Sequence, residues 1–126
     1  MAEVKFYRCN HCGNIVAVVR DGGVDPVCCG ETMQLLEAGS TDAAVEKHVP
    51  VVTRDGDDVV VRVGSVDHPM LEEHYIQWIA VACDGCLSIR HLTPGSEPQA
   101  RFTVGAGVPV SVYEYCNLHG LWRAEA

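Results

Sequence analysis

Four histidines and one cysteine are spaced so that they could share one metal ion and leave one of its corners free. They are His48 in Glu46-Lys47-His48, His68 before Pro69, His74 in the same segment, and the pair in Cys116-Asn117-Leu118-His119. Four neutral imidazoles and one thiolate fill all but one position of an octahedral ion. A free position on a redox-active metal such as iron is where a small oxidant binds, so the pattern points to catalysis rather than scaffolding. Taken singly, each histidine reads as well as a surface or packing residue. The Cys116–His119 segment is harder to dismiss, because it offers a thiolate and an imidazole to one ion and Gly120 permits the turn.

A second cluster lies earlier, where Cys9-x2-Cys12 is followed by the adjacent pair Cys28-Cys29. Four thiolates in so short a segment are a strong metal signal, and both zinc and iron accept them in tetrahedral array. Ligands adjacent in sequence must open or twist the tetrahedral angles. His11, between two ligands of a closed shell, is expected to be an exposed spacer. Gly13 and Gly30 each follow a cysteine, where a tight turn lets backbone N–H groups face sulfur.

These residues need elements to position them, and the chain supplies two kinds. Residues 1–37 form a module too short to bury enough apolar surface alone. A metal contributing on the order of 10 kcal/mol would stabilise it. Ile15 to Val19 can form a strand, and Asp21-Gly22-Gly23 a turn. Gly39-Ser40-Thr41-Asp42 reads as a connector. Residues 38–126 carry seven short, turn-bounded strands: Val49 to Arg54, Val59 to Val63, Tyr75 to Cys83, Cys86 to Leu92, Gln99 to Val104, Val110 to Tyr115 and Leu121 to Ala124. Asp55-Gly56 and Asp84-Gly85 are hairpin signals, and no helical periodicity stands out. The expected fold is all-β: a small metal-stabilised module followed by a seven-stranded immunoglobulin-like antiparallel sandwich. His48 is expected to start a strand, with the other ligands on converging loops.

Composition sets the outer bounds. With a formal net charge of −8 over 126 residues, the chain is unsuited to nucleic acid, which needs a basic face. An anionic substrate would be repelled at long range, so a site using one must supply its own cation. No apolar run approaches the ~20 residues of a membrane span. The opening Met1-Ala2-Glu3-Val4-Lys5 shows no apolar stretch of a signal peptide. Seven cysteines, an odd number without an export signal, read as ligands and thiols rather than disulfides. A cytoplasmic location is expected.

The first module, Cys9-x2-Cys12 with Cys28-Cys29, resembles desulforedoxin, which implies a distorted one-iron, four-thiolate centre and a tendency to dimerise. Glu46-Lys47-His48-Val49-Pro50, Gly64-Ser65-Val66 with His68-Pro69-Met70, and Glu114 to Gly120 resemble the signature of superoxide reductases. Nearly the whole chain is similar to the two-iron desulfoferrodoxin family. The resemblance implies an iron held by His48, His68, His74 and His119 in one plane with Cys116 axial. It implies one-electron reduction of superoxide to hydrogen peroxide, a rubredoxin-like electron donor and a homodimer. Lys47 is the implied local cation. Glu46 is the carboxylate expected at the sixth position of the oxidised ion.

Competing readings are a zinc-stabilised, non-enzymatic binding module and a pure electron-transfer protein. Cys83-Asp84-Gly85-Cys86 departs from the family pattern. A two-residue turn would set the cysteines opposite each other at a Cα separation of roughly 5.5 Å. Two reduced thiols are the leading expectation there, a redox-labile disulfide the second and a third metal site the last. His91 is expected at the surface.

Overall fold

Val59, Val61 and Val63 alternate with more exposed neighbours along one strand and are themselves fully buried. That period of two marks a strand with one face on a core. In this computed structural model, which describes residues 3–126, they meet Val112, Ile79, Val81 and Ile76 from a second sheet. Each fully buried valine or isoleucine contributes roughly 1.5–3 kcal/mol. Met1 and Ala2, the start of the expected first module and of the N-terminal stretch read for a signal peptide, lie outside the described residues.

The chain divides into two compact units, one ending at Glu37 and the other spanning Ala38–Ala126. The first holds five short strands: β1 (Phe6–Arg8), β2 (Ile15–Ala17), β3 (Val27–Cys28), β4 (Glu31–Thr32) and β5 (Gln34–Leu35). They form a three-stranded antiparallel sheet in the order β2-β1-β5 and the β3-β4 hairpin. Among its described residues Tyr7, Cys9 and Met33 form a small core cluster, with Val18 and Cys28 packed against them, and Phe6 is buried as well.

The second unit opens with the one-turn helix α1 (Val45–His48) and continues through seven strands. These are β6 (Pro50–Asp55), β7 (Asp58–Val63), β8 (Ile76–Cys83), β9 (Cys86–His91), β10 (Gln99–Thr103), β11 (Ser111–Cys116) and β12 (Gly120–Glu125). A three-stranded sheet, β10-β7-β6, faces a four-stranded sheet, β12-β11-β8-β9, with every pairing antiparallel. The chain is therefore an all-β protein with a seven-stranded sandwich.

Two local expectations are corrected. His48 does not begin a strand; it ends α1, and β6 starts at Pro50. One helical turn is too short to leave a 3.6-residue period in the sequence. Asp55 pairs with Asp58, so Gly56-Asp57, not Asp55-Gly56, forms the two-residue turn.

Candidate metal centres

His48, His68, His74, Cys116 and His119 converge, each offering a ligand atom within 4.8 Å of all the others. Their rings close a circuit. Centroids are 4.6 Å apart for His48–His68, 4.7 Å for His68–His74, 5.1 Å for His74–His119 and 4.9 Å for His119–His48, each pair edge-on. Four imidazoles in cyclic order put His48 opposite His74 and His68 opposite His119. The contact from His48 Nε2 to His119 Nδ1 is 3.1 Å. Two nitrogens bound about 2.1 Å from one ion at a right angle would lie about 3.0 Å apart, which matches. Cys116 Sγ lies 4.0 Å from His119 Nδ1.

Several contacts fix this circuit. His48 is turned inward by α1 and stacks on Trp122, with centroids 5.0 Å apart. The ring N–H of His68 Nδ1 donates to the Pro69 carbonyl at 2.7 Å, which leaves Nε2 with a free lone pair. Asn117 ties two ligand loops together: its Oδ1 accepts the Tyr75 N–H at 2.9 Å, and its Nδ2 donates to the Glu73 carbonyl at 3.0 Å. A β-bulge between Tyr115 and Cys116, against β8, re-aims Cys116 at the end of its strand. Gly64 lets the β7 loop approach α1 closely: a Cβ there would sit 2.7 Å from the Glu46 carbonyl oxygen and 3.1 Å from that of Val49.

The electrostatics suit a cation. Burial holds the His48 and His68 imidazoles down to about 4 and lowers His74, so all three are neutral near pH 7. His48 Nδ1, His68 Nε2 and His74 Nε2 are buried without a hydrogen-bond partner. A buried donor or acceptor left unpaired costs about 1–3 kcal/mol, and coordination by His68 and His74 Nε2 would remove that cost for both. Burial raises the Cys116 thiol, opposed by backbone N–H bonds to its sulfur from Leu118 and His119. A mixed set of four imidazoles and one thiolate exceeds the closed four-ligand shell of structural zinc and fits iron.

Glu46 and Lys47 sit exposed on α1, beside His48. The Lys47 charge is felt at His68 and His74 as well as at its neighbour. The Glu46 carbonyl accepts the Val66 N–H at 3.0 Å and the Ser65 hydroxyl at 3.2 Å, which pins α1 to the Gly64 loop. Glu114, whose side chain is fully buried, finds no partner for either carboxylate oxygen among the described residues. Burial pushes it up to about 9.

In the first unit, Cys9, Cys12, Cys28 and Cys29 also gather, with ligand atoms within 4.8 Å of one another. Cys12 Sγ is 3.7 Å from Cys28 Sγ, and Cys28 Sγ is 4.0 Å from Cys29 Sγ. Sulfurs bound about 2.3 Å from a tetrahedral ion lie about 3.8 Å apart, so the adjacent pair is slightly opened. Cys29 has a φ of 53°, the left-handed region. Successive side chains on extended backbone point to opposite sides, and this conformation turns both toward one ion. Backbone N–H groups of Cys12 and His11 lower Cys9 to about 6, whereas hydrogen bonds with Cys9, Cys12 and Cys28 push Cys29 up to about 12. Four thiols this close cannot all ionise without a cation among them. His11 is exposed and pairs with Glu31 at 3.0 Å. His91 is likewise exposed and belongs to neither ligand group.

Fold and sites together define a two-centre, non-haem iron protein on a β-sandwich. Residues 40–125 match the desulfoferrodoxin family, and residues 2–36 match the desulfoferrodoxin N-terminal domain. A desulfoferrodoxin homolog of Archaeoglobus fulgidus is 54% identical over 125 residues, covering 98% of this chain and 99% of that one. The desulfoferrodoxin of Nitratidesulfovibrio vulgaris is 50% identical over 124 residues, covering 98% of each. Among solved structures, the superoxide reductase from Treponema pallidum superposes with a TM-score of 0.80 at 35% identity, covering 98% of this chain and 99% of that one. The chain belongs to the desulfoferrodoxin family.

Proposed function

We propose that the sandwich centre reduces superoxide by one electron, with two protons, to hydrogen peroxide. The observation that carries this reading is the closed circuit of four imidazoles with Cys116 beside it. His48, His68, His74, His119 and Cys116 would hold an iron ion there, and Cys9, Cys12, Cys28 and Cys29 would hold a second. Iron in the sandwich centre supplies the electron. Only one of those five ligands is anionic, so a ferrous ion bound there would keep a positive charge that favours an anion.

The chain's own residues do the rest. Lys47 supplies the local attraction that a net charge of −8 denies at long range, and it orients a proton-donating water. Backbone N–H groups of Leu118 and His119 on the Cys116 sulfur would temper the electron density that a bound iron receives, which suits a product that keeps its O–O bond. The Glu46 carboxylate would be available to the oxidised ion, a hard ligand for a harder charge state.

Peroxide formed per superoxide consumed tests the reaction. With an electron donor present, reduction gives one for one; dismutation gives half as much, and that result would sink the reading. Lys47→Ile is expected to slow the encounter with superoxide about tenfold and to weaken its salt dependence. An unchanged rate in pulse radiolysis removes Lys47 from the mechanism. Glu46→Ala is expected to shift the visible spectrum of the oxidised protein while leaving superoxide reduction largely intact. An unaltered oxidised spectrum removes the carboxylate from the metal.

The electron donor in this reading is a rubredoxin-like protein, and the location is the cytoplasm. No described helix is long and apolar enough to cross a membrane. A homodimer is what the likeness of the first unit to desulforedoxin implies. Sedimentation of a monomer at micromolar concentration would remove it.

A further inference from the structure

Cys83 and Cys86 face each other across the tip of the β8–β9 hairpin, and neither belongs to a metal-ligand group. Asp84-Gly85 is the whole turn, and Gly85 takes the left-handed backbone, φ 76°, that so tight a reversal needs. Cα atoms of directly paired residues lie about 4.5–5.5 Å apart, inside the ~4.4–6.8 Å window of a disulfide. Both are free thiols in the structure. Their environments differ. Cys83 is half-buried against the sandwich core, where burial raises its thiol, whereas Cys86 is exposed and lies 3.8 Å from the Ser88 hydroxyl.

An exposed thiol with a second thiol directly opposite has the parts of a peroxide-reactive pair, one attacking and one resolving. We propose that Cys83 and Cys86 form a reversible dithiol site that is oxidised by hydrogen peroxide, the product of this protein's own reaction. The inference rests on the proposed function only for the source of the oxidant. The Cys86 thiolate attacks one peroxide oxygen, the O–O bond breaks, and the departing hydroxide takes up a proton as water. Cys86 is left as the sulfenic acid. The Cys83 sulfur then attacks the Cys86 sulfur, the S–O bond breaks, and the hydroxide leaves with the Cys83 proton as a second water. Two thiols lose two electrons in all, and one peroxide gains them. The exposed partner attacks because peroxide must reach the sulfur, and Cys83 is half-buried against the core.

The test uses the iron-loaded full chain. Trypsin releases residues 63–90 as one peptide, because Arg62 and Arg90 bound a stretch without lysine or arginine whose only cysteines are these two. After a few equivalents of hydrogen peroxide and alkylation with iodoacetamide, this peptide is expected to lack both alkyl groups and to be lighter by two hydrogens. Dithiothreitol should restore both alkylation sites. Cys83→Ser should instead yield a dimedone-trappable sulfenic acid on Cys86 or a disulfide between two chains. Two alkylated thiols at peroxide doses that already oxidise the iron, or sulfinic acid on Cys86 in the unaltered chain, would overturn the proposal. Added peroxide bypasses superoxide, so a failure here differs from a failure of the reductase reading. Generated superoxide with an electron donor, with and without catalase, then asks whether the chain's own product reaches the pair: expected oxidation is lost with catalase, and a catalase-insensitive signal refutes peroxide as the oxidant. Cys83→Ser with Cys86→Ser should leave the rate of superoxide reduction unchanged.

Discussion

Cys12→Ser is expected to strip the metal from the first unit and unfold that unit, while the sandwich keeps its own iron. The unit's core cluster, Tyr7, Cys9 and Met33, is too small to offset the ordering of about 35 residues. A structural metal contributes on the order of 10 kcal/mol to such a fold, so the loss exceeds the stability of most small domains. Serine retains the side-chain volume, which isolates ligation from packing. Proteolysis should then cut the Cys12→Ser chain within residues 3–37 and spare the sandwich. The four-thiolate visible bands should vanish while the absorption of the sandwich centre remains. A first unit that stays protected would show that packing, not metal, holds it. The same variant tests catalysis: an unchanged first-turnover rate with superoxide assigns the four-cysteine iron a folding role, and a slower one draws it into electron delivery.

Much of this was legible in the residues because the relevant signals are local. Cys9-x2-Cys12 and Cys28-Cys29 sit within one short module, so their spacing alone announces a shared ion. The sandwich strands show in alternation broken by glycine and proline, and each expected span falls within a residue or two of β6 to β12. What stayed hidden depends on contacts between segments distant in sequence. The two- and three-residue strands β1 and β3 to β5 are too short to carry a period. They are set by pairing around the metal cluster. The bulge at Tyr115/Cys116 exists only relative to β8. The stacking of Trp122 on His48 spans two segments that no motif joins. Glu114 is quoted within a motif, yet only the structure shows that it is buried unpaired, where an acid is held neutral rather than charged.

Gly64 shows how such a distant contact governs the chemistry. In the sequence it is one residue of the Gly64-Ser65-Val66 motif, and its φ is not in the left-handed region that glycine is usually kept for. The constraint is space. A Cβ would stand 2.7 Å from the Glu46 carbonyl oxygen, 3.0 Å from the Lys47 carbonyl carbon and 3.1 Å from the Val49 carbonyl oxygen. All three atoms are backbone, so no rotamer change relieves the overlap and α1 itself must move. That one turn carries Glu46, Lys47 and His48, so a single methyl displaces the proposed ligand, the proposed cation and the proposed capping carboxylate together. Gly64→Ala is therefore expected to cost on the order of 3 kcal/mol, near the upper end for overpacking. For a unit of this size that lowers the melting temperature by more than about 10 °C. It should also weaken iron retention at the sandwich centre, read as loss of its visible band on dialysis against a chelator. Ser65→Ala removes only a 3.2 Å hydroxyl contact to the same Glu46 carbonyl at an exposed position, and should cost less than about 1 kcal/mol. Because the blocking atoms are main-chain, pairing Gly64→Ala with Glu46→Ala should rescue nothing. Recovery of iron in that double variant would mean that a side chain, not the closeness of two backbones, sets the position of His48.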